Sequence, residues 1–331
     1  MSYRRIIGLV LILMLVMASI SLASLKRPGL NGAAFLKIGV GARMVALGSA
    51  ATSIQGDPNA LFWNPAGISV DAGRTQVGFT YNNWIADLGH HAGAVTHNFN
   101  NIGTFGIGFI YMGLSDITAD RDIAPAEYSY AQIDQGSGTY NYNDVAFIVA
   151  YSKQFTDKFR MGAAAKYISE SIDDQTASAY AFDFGAIYKT GLKDLTIGAR
   201  LNNVGGDLKF YALGNPLPLN FSIGMNMTIA QEENTKFQGF FDFTKPQDSP
   251  QLYFVGGEWT LFEKFALRGG YKFNYSNIID DYTRYRQTDE GFTLGGGMTL
   301  PMDKYHMWLD YSFTDFNVLN DTHRFTLRFE L

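Results

Sequence analysis

The sequence predicts an all-β fold, a transmembrane antiparallel β-barrel of about fourteen strands with an N-terminal plug segment. Apolar and polar residues alternate along most of the chain, as in strands with one face toward lipid. Aromatic residues make up 15% of the chain and charged residues 17%, whereas a typical soluble domain has about 25% charged residues. Beyond the N-terminal leader, no apolar run approaches the roughly 20 residues of a membrane-spanning helix.

Residues 1–23 have the pattern of a cleavable signal peptide. Two arginines precede an apolar run from residue 6 to 20, and Ser21-Leu22-Ala23 supplies the small residues that signal peptidase requires. The run is about 15 residues long, short of the roughly 20 needed for a membrane anchor. The chain contains 0 cysteines, which excludes a lipoprotein anchor, disulfides and thiol chemistry. We expect cleavage after Ala23 and export to the bacterial outer membrane.

Residues 24–73 do not alternate and form the predicted plug, or hatch. Gly, Ala and Ser are frequent up to Ile54, and residues 56–67 read GDPNALFWNPAG. A barrel too wide to be filled by its own side chains can hold such a segment inside. The motif residues are Asp57, Pro58, Asn64, Pro65, Ala66 and Gly67.

The motif has the chemistry of a short capped helix. Asp57 can cap a helix start, and Pro58 suits the first helical position because its missing N–H would have no partner there. We expect Asn64 and Pro65 to end this turn and the next two residues to reverse the chain.

Residues 74–331 carry the period-two pattern of the predicted barrel. From Arg324 to Leu331, odd positions are apolar and even positions are polar. Segments of about ten residues suffice to cross a bilayer when tilted. The predicted strands are 74–83, 91–99, 103–113, 141–155, 158–171, 178–190, 194–204, 216–230, 234–245, 250–262, 264–276, 290–301, 304–315 and 322–331.

The connections between these strands alternate between tight and long. The longest are 114–140 and 277–289, and each is flanked by turns of a few residues. Outer-membrane barrels have short turns at the periplasmic rim and longer loops outside. Because connection length is independent of the period-two pattern, this alternation supports the number of strands.

A soluble sandwich or propeller would also alternate, but its exposed edges would usually carry charges. Here apolar faces recur on nearly every segment, and tyrosines near the strand ends suit the interfacial girdles of a membrane barrel. The mean hydropathy of −0.06 fits a barrel as well, because lumen-facing residues offset lipid-facing ones. The candidate girdle residues are Tyr81, Tyr111, Tyr151, Tyr188, Tyr275 and Tyr311.

Within each predicted strand, every second residue faces the lumen. These lumen-facing positions hold both charged and apolar side chains. The charged set can pair across the lumen or simply hydrate and stiffen the wall. The apolar set suits a hydrophobic solute or an inserted plug better than an open porin. The charged candidates are Arg200, Asp242, Glu258, Arg268, Lys272, Asp310 and Arg324. The apolar candidates are Phe240, Leu252 and Phe254.

The N-terminal region resembles a known family. Residues 32–43 read GAAFLKIGVGAR, residues 46–50 read ALGSA, and Asp57 to Gly67 ends in NPAG. Together they resemble the N-terminal signature of the PorV/PorQ family of outer-membrane proteins. That family is related to the FadL-type long-chain fatty acid transporters, which share the Asn-Pro-Ala motif and a fourteen-stranded barrel.

The resemblance implies a role in the type IX secretion system of bacteria such as the Bacteroidetes. PorV binds the C-terminal signal domain of exported cargo and carries it from the translocon to the attachment machinery, in which PorQ acts. The favoured hypothesis is a secretion component that binds secreted proteins or secretion-system subunits. The alternative is a FadL-like transporter for a hydrophobic solute such as a long-chain fatty acid. A structural envelope barrel that does neither stays open.

Enzymatic functions have little support in the sequence. The five histidines lack metal-ligand spacing, and no nucleophile elbow or complete dinucleotide fingerprint occurs. The net charge of −5 gives no basic field for nucleic acid. We therefore predict a non-enzymatic protein without cofactor, metal or nucleic-acid partner, whose surroundings are outer-membrane lipid.

The loop lengths predict sidedness. Cysteines introduced at Asp122 and at Asp157, in a predicted loop and a predicted turn, should differ in labelling of intact cells by an impermeant maleimide. We expect labelling at position 122 only, and labelling at position 157 instead would reverse the topology.

Overall fold

A computed structural model describes residues 31–69, 72–119, 138–192, 194–249, 251–274, 290–302, 305–316 and 319–331. The predicted signal peptide, Asp122, Tyr275 and the 277–289 connection lie outside these residues. The structure is a closed antiparallel barrel of fourteen strands in sequential order. The strands are β1 Thr75–Asn83, β2 Gly89–Phe99, β3 Gly103–Thr118, β4 Thr139–Thr156, β5 Phe159–Ile172, β6 Gln175–Lys189, β7 Thr196–Gly205, β8 Asn220–Glu232, β9 Thr235–Pro246, β10 Leu252–Leu261, β11 Phe265–Asn274, β12 Phe292–Met302, β13 Tyr305–Thr314 and β14 Thr322–Glu330.

The predicted barrel and its number of strands are confirmed. Each predicted strand overlaps an observed one, and β14 pairs with β1 to close the sheet. Side chains alternate as expected in β14, where Phe325 is 48% exposed and Arg324 2% exposed. Because the sheet is closed, it has no edge strand with unpaired backbone groups. A strand that crosses lipid needs such closure, since the hydrocarbon region offers its backbone no other hydrogen-bond partner.

Short helices occur mainly in the segment that precedes the barrel. Three of them are 3₁₀ helices, Ala34–Lys37, Pro58–Phe62 and Pro65–Ile68. A single α-helical turn, α1, spans Ala42–Ala46. A fourth 3₁₀ helix, Ile85–Asp87, joins β1 to β2. In the described ranges, no helix has the length and apolar character needed to cross a membrane.

The two ends of the barrel differ in their connections. At the end where β14 finishes, β2 and β3 are joined by a turn between Phe99 and Gly103, and the other even-to-odd connections have at most six residues. The expected alternation of tight and long connections fails at β5 and β6, which a two-residue turn joins at the opposite end. At the opposite end, β7 and β8 are joined through residues 206–219, and the β3–β4 and β11–β12 connections are longer still. We call these the turn end and the loop end.

Aromatic side chains cover much of the outer surface. Tyr81, His91 and Tyr111 form a stack on adjacent strands, with ring centroids 4.9 Å and 6.2 Å apart. Tyr188 is exposed on β6, and Tyr311 packs against Phe325 on the outside of β13 and β14. Such an apolar and aromatic exterior suits contact with lipid.

Residues 31–69 fold inside the barrel as a plug, in agreement with the predicted fold. Leu47, Leu61 and Ile68 are fully buried and pack with apolar side chains of the wall in one core. Where the plug backbone approaches the wall, the strands carry glycine. A Cβ at Gly256 or Gly270 would collide with the backbone of Leu47 or Gly48.

Substitution of Gly270 tests this close approach. We expect Gly270→Val to destabilise the barrel by about 1–3 kcal/mol because the added methyl groups overlap the plug backbone. Gly269→Val is the matched control, since its side chain would point outward with the nearest atom, in Leu294, 3.7 Å from Cβ. Thermal unfolding in detergent measures both, and equal effects would contradict the described contact.

Candidate functional site

The GDPNALFWNPAG segment builds two successive capped 3₁₀ helices. As predicted, the Asp57 side chain caps the first helix by accepting a hydrogen bond from Asn59 N (2.9 Å), and Pro58 occupies its first position. The expectation for Asn64 was only partly right. Rather than simply ending a turn, Asn64 caps a second helix, Pro65–Ile68, by accepting from Ala66 N (3.1 Å). An Asn-Pro pair repeats the Asp-Pro geometry because both side chains can accept that bond.

Asn64 also joins the plug to the wall. Its side-chain amide donates to Thr52 O at 2.7 Å and lies 3.4 Å from the carbonyl oxygens of Ala186 and Ala199 on β6 and β7. In return, the Asn202 amide on β7 donates to Trp63 O at 2.9 Å. The motif is therefore attached to β6 and β7 at one side of the lumen, both by an amide of the plug and by an amide of the wall.

On the opposite side, Asp57 binds the wall through Arg328. The Arg328 guanidinium lies 2.8 Å from Asp57 and 2.8 Å from Asp310 on β13. Arg268 on β11 contacts the other oxygen of Asp310 at 2.6 Å. The side chains of all four residues are at most 6% exposed.

The chain of ion pairs continues to a second plug residue. Arg268 also binds Glu258 on β10 at 2.6 Å, and Glu258 accepts from Arg43 of α1 at 2.7 Å. Burial alone would lower the pKa of Arg43, but the neighbouring Glu258 and Asp57 carboxylates raise it above its ordinary value. Three arginines thus alternate with three carboxylates, which we call the latch: Arg43, Glu258, Arg268, Asp310, Arg328 and Asp57.

Asp242 on β9 holds a third part of the plug. One of its carboxylate oxygens accepts from Ala51 N (3.0 Å), Thr52 N (2.9 Å) and Thr52 Oγ1 (2.6 Å). Successive N–H groups that converge on one carboxylate are a favourable way to satisfy a buried charge. The carboxylate therefore fixes the backbone that precedes the motif.

Of the two alternatives for the lumen-facing charges, pairing across the lumen is not observed among the described residues. Pairs run along the wall between strands or from wall to plug, because the plug occupies the space between opposite walls. Lys272 pairs with Glu290 and lies over the Phe254 ring. Arg200 and Arg324 are buried and have no ion pair among the described residues.

Two cavities flank the plug, and they separate the predicted apolar residues. The loop-end cavity, of about 360 Å³, is lined by Leu252 and Phe254 together with Trp63 and Arg200. Phe240 lines a different, more polar cavity of about 460 Å³ at the turn end. The three apolar residues therefore do not share one pocket.

Sequence reasoning missed several residues of this arrangement. Arg43, Thr52 and Asn202 gave no separate signal, because a lone arginine, threonine or asparagine is usually a surface residue. Arg43 does occur within the family-like segment GAAFLKIGVGAR. Its contact with Glu258, 215 positions away, depends on how the plug sits in the barrel.

Comparisons with known proteins agree with this architecture. The family model described as "Type IX secretion system protein PorV" matches residues 26–247. No curated protein matches the chain.

Solved structures share the fold at low sequence identity. The toluene transporter TodX of Pseudomonas putida has a TM-score of 0.57 at 13% identity, covering 88% of this chain and 97% of its own. The toluene transporter TbuX of Ralstonia pickettii has a TM-score of 0.54 at 12% identity, covering 88% and 98%. A FadL homologue of Pseudomonas aeruginosa has a TM-score of 0.51 at 12% identity, covering 85% and 95%.

Substitution of Asp57 tests the latch. Asp57→Asn keeps an acceptor for the Asn59 N–H but leaves Arg328 with one carboxylate fewer. Breaking a buried ion pair typically costs about 3–5 kcal/mol. We expect lower stability to denaturant and larger ionic currents through the purified barrel in planar bilayers.

The control is Asp157→Asn, which changes the same group in an exposed turn. Its stability and current should match those of the unmodified protein. A latch variant that behaves like this control would show that the ion pairs do not hold the plug.

Proposed function

This chain belongs to the PorV family of type IX secretion system proteins, and we propose that it binds secreted proteins or secretion-system subunits at the loop end of its barrel. In this proposal the barrel is a docking platform in the outer membrane, and its plug keeps the lumen closed. Residues 1–23 act as the cleaved signal peptide, residues 24–73 as the plug, and residues 74–331 as the barrel.

The observation that carries the proposal is that the plug touches every strand. The short helices contact β1 to β6 and β11 to β14. Residues 43–53 reach the remaining strands: Arg43 bonds to β10, Thr52 bonds to β9 and packs on Gly198 of β7, and Ser53 accepts from Asn226 of β8. A plug with contacts on all sides favours a closed lumen over a diffusion pore.

The location follows from the family and the fold. An aromatic exterior, a closed sheet and PorV family membership support an outer-membrane location with lipid around the barrel. The family and the similar solved barrels are secretion or transport proteins rather than enzymes. The extracellular placement of the loop end is part of the proposal, since outer-membrane barrels keep their long loops outside.

A FadL-like transporter for a hydrophobic solute is the second candidate. It is supported by the loop-end cavity, whose wall includes Phe254, Trp63 and Ile110. Against it stand the polar groups in the same wall and the latch, which would have to rearrange before a solute could pass. The two candidates differ in what the purified protein carries.

A mild-detergent pull-down of the tagged protein from its native outer membrane decides between them. Proteins and lipids are identified in the same eluate, with an unrelated tagged barrel from the same strain as control. We expect specific recovery of secreted proteins or of secretion-system subunits. A protein-free eluate with stoichiometric fatty acid or another apolar compound would favour transport.

A further inference from the structure

The turn-end cavity differs in charge from the rest of the lumen. Its volume of about 460 Å³ falls within the usual range for ligand pockets, about 300–1,000 Å³. Plug residues between Arg43 and Gln55 line it together with the inner faces of β6 to β9. Among the described residues of this lining, three are cationic, Arg43, Lys189 and Lys236, and one is a carboxylate, Asp194.

The two lysines depart from the pairing seen at the loop end. Each lysine of the loop-end cavity has a carboxylate partner, as in the pair of Lys166 with Asp183 at 2.7 Å. Within the described ranges, Lys189 and Lys236 form no ion pair, with Asp194 or with any other residue. Lys189 is exposed and Lys236 partly exposed, so both side chains keep accessible surface for a ligand. A cleft lined by unpaired charge of one sign attracts ions of the opposite sign.

Arg43 offers a further donor to the same cavity. Its Nε and Nη2 atoms donate to Glu258 at 2.9 Å and 2.7 Å. The remaining nitrogen, Nη1, lies 4.0 Å from Asp57, which is beyond hydrogen-bond distance, and the side chain is 22% exposed. Arg43 can therefore stay in the latch while Nη1 binds a ligand.

Uncharged donors complete the lining. In the part of the chain that the structure describes, the Gln238 side chain on β9 has no hydrogen bond. Thr190 Oγ1 accepts from Leu192 N at 3.2 Å, which leaves the hydroxyl hydrogen available to donate. A lysine ammonium donates but cannot accept, so the cavity is rich in donors. A neutral or cationic ligand would leave its charges unpaired, whereas an anion would satisfy them.

We propose that the turn-end cavity binds a phosphorylated ligand with at least two negative charges, held by Lys189, Lys236 and Nη1 of Arg43. The lysines approach from β6 and β9, with two strands between them, so a ligand with two anionic groups can engage both. Lysine binds phosphate as a point charge. A carboxylate is bound best by a planar guanidinium fork, and the Arg43 fork already holds Glu258.

Calorimetric titration of the purified barrel, with its plug, in a nonionic detergent tests this proposal. The probe is inorganic pyrophosphate, and acetate at matched ionic strength is the reference anion. We expect pyrophosphate to bind at least about tenfold more tightly than acetate, as for additional hydrogen bonds to a charged group. The affinity should fall as salt is added, because the lysines are accessible to solvent.

Variants locate the binding. The double variant Lys189→Gln, Lys236→Gln should weaken pyrophosphate binding at least about tenfold. Lys158→Gln is the matched control, since this lysine lies in an exposed turn at the same end but does not line the cavity. Pyrophosphate should raise the melting temperature of the unmodified protein and not that of the double variant. Heat-dependent gel mobility establishes that each variant is folded.

Reconstitution distinguishes the source of the phosphate. The barrel is placed in phosphatidylcholine nanodiscs with or without phosphatidylglycerol, and pyrophosphate is titrated into both. If a headgroup of the surrounding membrane occupies the site, the anionic discs should weaken pyrophosphate binding several-fold. Equal binding in both discs identifies a soluble phosphate ester as the ligand.

Three results would overturn the proposal: no pyrophosphate binding by the unmodified protein, acetate binding of equal strength, or an equal loss of affinity in Lys158→Gln and in the double variant. Each is distinguishable from failure of the proposed function, because the site lies at the end opposite the docking surface. The pull-down tests that surface whatever binds at the turn end.

Discussion

The ion pair between Arg328 and Asp57 joins the two parts of this molecule, and much of the interior depends on it. A closed sheet of fourteen strands encloses more space than its own side chains can fill. The alternation that gives the barrel an apolar exterior also places charged residues inside. Since burying a charge without a partner is strongly unfavourable, the plug must bring carboxylates and cations of its own. Asp57 and Arg43 do so, and the latch contains three charges of each sign.

The wall is shaped to admit the plug. Opposite the Asn64 motif, a Cβ at Gly162 or Gly185 would collide with Pro65 or with the Asn64 side chain. The plug backbone can therefore lie directly on the strands, and its caps reach carbonyl oxygens of the wall. These close contacts explain part of the high glycine content of the chain.

The same construction bears on function. A plug held on all sides by hydrogen bonds and ion pairs resists displacement, and the free space that remains lies above and below it. The loop-end space is lined by aromatic rings together with charged and polar side chains, among them Trp63 and Arg200. A closed lumen is consistent with the docking role proposed above.

The sequence by itself determined the barrel, its number of strands and the inward or outward direction of most side chains. A period of two is a local property, so it can be read from residues such as Phe325 and Arg324 without knowledge of their neighbours. The caps at Asp57 and Pro58 were predictable for the same reason, because their partners are a few positions away. The partners of Arg328, Glu258 and Asp242 depended on contacts between residues about 190 to 270 positions apart. The period-two pattern cannot specify such contacts, since it predicts which face of a strand a residue lies on but not what occupies the lumen. Only the tertiary structure therefore decided that the charges pair along the wall and with the plug, and that Phe240 and Phe254 line different cavities.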